Sequence, residues 1–90
     1  MKKTVISVIG KDTVGITAAV SAKCAEHNVN IVDITQSVLQ DMFVMVMLTD
    51  IDSLNCPFAD FKNSMENLAK ELNVEIRVMH EDIFNTMHHI

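Results

Sequence analysis

Ninety residues, 49% apolar, with only two Gly and one Pro, suit one element-rich domain around a single core and exclude a second domain, a linker or a disordered region. A formal net charge of -5, with Lys and Arg scattered singly, leaves no electrostatic footprint for direct nucleic-acid binding or for an anionic membrane. A domain this small buries a limited share of its surface, so self-association is expected to add to its stability.

From Lys3 to Gly10 the chain is β-branched and alternating, with Val5 and Ile9 on one face and Ile6 and Val8 on the other, which predicts a central first strand. Gly10-Lys11-Asp12-Thr13-Val14-Gly15 breaks the pattern, and Asp12 or Thr13 is expected to cap a helix over about Val14 to His27. Ile16, Val20, Cys24 and His27 recur along it at helical spacing, and Asn28 suits the left-handed residue that stops it. Asn30 to Gln40 reads as a second strand whose polar insertions hint at an exposed or bulged stretch. After the Gln40-Asp41 turn, Met42 to Leu48 has no polar face, the pattern of a strand covered on both sides.

Pro57 suits a first helical turn, and Phe58, Phe61, Met65, Leu68 and Leu72 follow at steps of three and four, the cleanest helix in the chain. Val74, Ile76 and Val78 alternate with Glu75 and Arg77, giving a fourth strand with one wet face. Ile83, Met87 and Ile90 then fit one stripe of a short helix. Residues 1–82 are thus expected to form the domain, and 83–90 a helical tail that packs on the bare sheet face or on a partner subunit. Cys24 and Cys56 fall within apolar helical patterns and read as buried thiols in a reducing compartment. Without an apolar leader or a stretch of spanning length, the expected address is cytoplasmic.

The order β, α, β, β, α, β contains two right-handed crossovers. They predict an α+β, ferredoxin-like βαββαβ sandwich, with a four-stranded antiparallel sheet in the order 4-1-3-2 and both helices on one face. That fold hosts many functions, so particular residues must decide between them. Four Phe without Tyr or Trp do not make a base-stacking platform. The first loop has no Cys pair for a soft metal. The only Arg, Arg77, lies on strand four, where it cannot hold a phosphate in that loop.

What remains is Gly10-Lys11-Asp12-Thr13-Val14-Gly15-Ile16, followed fifteen residues after Gly15 by Asn30-Ile31. This resembles the ACT-domain fingerprint, in which a strand ends in a polar turn, a Gly opens helix one and Asn-Ile begins strand two. The tail His80-Glu81-Asp82-Ile83-Phe84-Asn85-Thr86-Met87-His88 is similar to that of a bacterial family of stand-alone ACT proteins, distantly similar to the glycine cleavage system transcriptional repressor. The resemblance implies a homodimer that binds an amino acid at the subunit interface, with Asp12, Thr13, Val14, Gly15, Asn30 and Ile31 around the ligand. Gly10 stands where some serine-binding members place a His, and Val14 where many have Pro.

The chemistry of these residues agrees with that implication. Gly15 lets backbone N–H groups at a helix N-terminus approach a carboxylate, Asp12 can face an amino group, and the Asn30 amide both donates and accepts. No nucleophile-base pair is legible, so a regulatory module that acts on a partner enzyme or transcription factor is expected, not an enzyme, and no cofactor is called for. A ligand-free interaction module is the alternative. His80, His88 and His89 read as surface histidines in preference to a metal site, and Cys24 with His27 as an interior pair in preference to metal ligands.

Overall fold

The computed structural model describes residues 2–11 and 14–81. The elements are β1 (Lys3–Gly10), α1 (Ile16–Glu26), β2 (Asn30–Leu39), β3 (Met42–Asp50), α2 (Phe58–Leu72) and β4 (Glu75–His80). The sheet order is β2-β3-β1-β4, the expected 4-1-3-2 arrangement read from its other edge, and every neighbouring pair is antiparallel.

Strand pairing makes the two faces of the sheet explicit. Ile6 lies opposite Met47 and Val78, and Val8 opposite Met45 and Ile76. All six of these side chains belong to the core cluster. Ile16, Val20 and Cys24 of α1 and Phe61, Met65 and Leu68 of α2 bury against them at helical spacing. Phe61 and Met65 are fully buried.

Helix α1 is shorter at both ends than the periodicity predicts, because its entry is set by backbone conformation. Gly15 occupies the N-cap position at φ 77°, a left-handed conformation that favours glycine, and makes no side-chain cap. Asp12 and Thr13, the expected caps, lie outside the described residues. Asn28 is left-handed at φ 59°, directly after the C-cap residue His27, as the sequence predicts. Pro57 is the N-cap residue of α2, one position outside the helix, and Asn73 at φ 56° closes its far end.

Two sequence expectations are corrected by the packing. Met42 to Leu48 is buried on one face only: Phe43, Met45, Met47 and Thr49 are buried, whereas Met42, Val44, Val46 and Leu48 are half-buried. The alternation arises because both helices lie on the same side, so an all-apolar strand has only one of its faces against them. Cys56 is not on a helix; it sits half-buried in the loop before Pro57, while Cys24 is fully buried. Burial pushes the Cys24 thiol up to about 11.

β2 forms the outer edge of the sheet. Its register slips between Ile31 and Asp33, leaving Val32 as a bulge, and Ile31 and Ile34 pack against the core.

Candidate functional site

The β1–α1 turn lies where β1 ends. Nothing stands within 4 Å of the position a Gly15 Cβ would take, so glycine is required there by the positive φ and not by crowding. The Gly15 carbonyl accepts the Ala19 N–H at 2.9 Å, which leaves earlier first-turn amides of α1 without intrahelical partners at the open end of the helix. Thr17 ties that turn to the sheet, its hydroxyl lying 3.4 Å from Gln36 Oε1 and 3.6 Å from Met45 Sδ. Val14, 85% exposed, stands just before Gly15.

Gly10 has a different reason to be glycine. A Cβ there would overlap the Val74 side chain, so the end of β1 is closed to any larger residue unless Val74 shifts. A His, as in some serine-binding ACT domains, has no room at this position.

Asn30 and Ile31 lie at the opposite end of the sheet. β1 and β2 both run antiparallel to β3 and therefore run in the same direction. Gly10 and Val38 flank Phe43 at one end, whereas Lys3 and Asn30 flank Asp50 at the other. Seven residue steps of strand separate these levels, about 23 Å. Within one chain the structure brings Val14 together with Gly15, and Asn30 together with Ile31, but it does not bring the two pairs together. That separation was legible in the predicted topology, because two strands joined by a right-handed crossover run parallel and so place the end of one far from the start of the other.

Exposed Asn30 lines a shallow groove with Ala25, Asn28, Val29 and Ser53. Beyond it, the outer edge of β2 is ten residues long and carries one charge, Asp33; Val32, Val38 and Leu39 are exposed along it at 47%, 62% and 65%. Soluble proteins rarely leave so long and apolar an edge bare.

Cys24 and His27 do not form an interior pair with each other. The His27 ring lies 3.1 Å from Ser64 Oγ through Nε2 and 3.5 Å from Cys56 Sγ through Nδ1. Periodicity within one helix could not show a contact that spans α1, the following loop and α2. Its one sequence signal is a Cys directly before the Pro that starts a helix.

His80 stacks on Phe58 with ring centroids 4.8 Å apart, while His88 and His89 lie outside the described residues. Among the described residues no group of three or more His, Cys, Asp or Glu is placed to hold a metal ion. No helix among them is long and apolar enough to cross a membrane.

Comparison with known proteins agrees with the fold. The ACT domain family matches residues 2–79. A UPF0237 protein of Methanocaldococcus jannaschii is 46% identical over 90 residues, the full length of both chains. An ACT domain protein from Streptococcus pneumoniae superposes with a TM-score of 0.81 at 40% identity, covering 92% of this chain and 93% of that one. A putative glycine cleavage system transcriptional repressor shares the fold with a TM-score of 0.79 at 15% identity, over 88% of this chain and 46% of its own. With the fingerprint, the sheet order and full-length relatives in agreement, this chain belongs to the ACT domain family and is a relative of the UPF0237 proteins.

Proposed function

We propose that this chain, a member of a family of typically regulatory ligand-binding modules, is a non-catalytic homodimer that binds an amino acid, or a similar small carboxylate, between its subunits. The observation that carries this reading is the placement of the Gly15 turn and Asn30 at opposite ends of one sheet, beside a β2 edge that no other described strand pairs. Pairing two β2 strands antiparallel about a two-fold axis sets the Asn30 end of one copy against the Leu39 end of the other, which lies at the level of Gly10. Each Gly15 turn then faces an Asn30 from the second copy, and the pocket occurs twice.

The chemistry follows from those groups. First-turn amides and the positive end of the α1 dipole favour a carboxylate. The Asn30 amide donates to it or accepts from an ammonium group, and Asp12 supplies the counter-charge for that ammonium, with Thr13, Val14 and Ile31 completing the walls. Occupancy reaches a regulated enzyme or transcription factor only through differential affinity for two arrangements of the dimer.

Calorimetric titration with a panel of amino acids, alongside light scattering, tests the reading. Asp12→Ala and Asn30→Ala should each abolish binding alone. Mixing the two variants should restore one intact site per heterodimer, because each copy lends its unmutated half. A soluble monomer at micromolar concentration, or silence across the panel, overturns it.

The sheet face away from the helices has its own candidate cover. The chain leaves β4 at His80, and β4 lies two strand spacings, about 10 Å, from β3. Residues 83–90 lie outside the described residues; as a helix, these eight would reach about 12 Å. We propose that their stripe of Ile83, Met87 and Ile90 lies across Val44, Val46 and Leu48.

A further inference from the structure

The contact between His27 and Cys56 lies at the margin of the core and outside the proposed pocket. Three elements converge on it. His27 ends α1, Cys56 lies in the loop that follows β3, and Ser64 is in the second turn of α2. The loop is held against α1 by Asn55, whose backbone N–H donates to the His27 carbonyl at 3.2 Å and whose side-chain amide donates to the Glu26 carbonyl at 3.0 Å. The His27 ring is fixed from a third side by Phe61, edge-on with centroids 5.5 Å apart. The imidazole is therefore clamped.

We propose that Cys56 is a reactive thiol, activated by His27, whose substrate is a hydroperoxide. In the tautomer that carries its proton on Nε2, His27 donates to Ser64 Oγ at 3.1 Å and presents the Nδ1 lone pair to the Cys56 S–H at 3.5 Å. In the proposed step Nδ1 takes the thiol proton; Cys56 stands two positions before the first residue of α2, a fifteen-residue helix. Asp60 is the carboxylate of that first turn, and the Lys23–Glu26 ion pair at 3.1 Å is the charged pair in the last turn of α1.

The sulfur attacks one peroxide oxygen, so an S–O bond forms and the O–O bond breaks. The leaving oxygen takes the proton back from the imidazolium and departs as water or an alcohol. Sulfur is oxidised by two electrons to the sulfenic acid and the peroxide is reduced by two, so the step balances without a cofactor. Cys24 provides an internal control, because it is fully buried and its thiol is held protonated.

Hydrogen peroxide treatment of the folded chain, with dimedone trapping and peptide mass mapping, tests this. Cys56 should be labelled while Cys24 is not, and His27→Ala should slow Cys56 labelling at pH 7 by roughly tenfold or more. Ser64→Ala, a positioning change, should slow it less and displace the pH profile of iodoacetamide alkylation. Equal labelling of the two cysteines overturns the proposal, as does a Cys56 rate unchanged in a folded His27→Ala. If that variant does not fold, Ser64→Ala decides: an alkylation profile superimposable on that of the unmodified chain overturns the activation by His27.

Discussion

The two faces of the sheet are built from the same strands and have different fates. On β3, the residues toward the helices, Phe43, Met45, Met47 and Thr49, are buried, while their neighbours Val44, Val46 and Leu48 on the other face are half-buried and equally apolar. On β1, Ile6 and Val8 face the helices; on the other side Val5 is buried as well, at 3% exposure, and Ile9 is half-buried. At the margins of the open face stand Glu75 and Arg77, 2.6 Å apart and both exposed, with Asp33, Thr35 and Ser37 on the far strand. An apolar centre with a polar rim is the pattern of a surface made to be covered, because contiguous exposed patches of this kind are uncommon on a free globule.

Substitutions that separate the faces should differ most where the helix side is tightest. Phe61→Asp places an unpaired charge in a fully buried position and should unfold the domain, a loss of roughly 4 kcal/mol or more. Val46→Asp should leave the far-UV circular dichroism native; if it does not, the open face is as tightly sealed as the other. A finer cut comes from chemical denaturation. Met47→Ala is expected to cost about 2 to 5 kcal/mol, and Val46→Ala about 1 kcal/mol or less.

Removing residues 83–90 should raise binding of an apolar dye without lowering helix content over α1 and α2, since the core between those helices and the sheet is built from residues 6 to 78. An unchanged dye signal would assign the cover to something else. The smallest expected effect is in pH. Cys24 has its folded value raised from 9.0 to about 11 by burial, so its contribution to stability is full below pH 9.0 and is lost as pH rises toward 11. Unfolding midpoints measured from pH 7 to 11 should fall over that window, and the decline should be smaller in Cys24→Val.

Much of this architecture could be read from the residues. The 58, 61, 65, 68, 72 spacing located α2 to within one residue, and Asn28 marked the exit of α1, because periodicity and left-handed stops are local properties. The uniform apolarity of β3 announced a need for cover but not which side would meet it, since both helices join strands by crossovers of the same hand. The fingerprint residues were visible as types. Their division between the two ends of the sheet was not drawn from the fingerprint, because adjacency in a motif is not adjacency in space. The His27 cluster was hidden for the opposite reason: its members stand 29 and 37 residues apart and share no period.

The parallel run of β1 and β2 carries a consequence for dosage. In the proposed dimer, whose half-sites lie at opposite ends of one sheet, there is no response below the concentration at which copies meet, however abundant the effector. Effector and subunit association then obey one linked equilibrium, so each sharpens the other, and the cell can set the gain of the device by how much of it is made. A related chain with a matching edge but an altered Asn30 would halve the number of working pockets without changing the assembly.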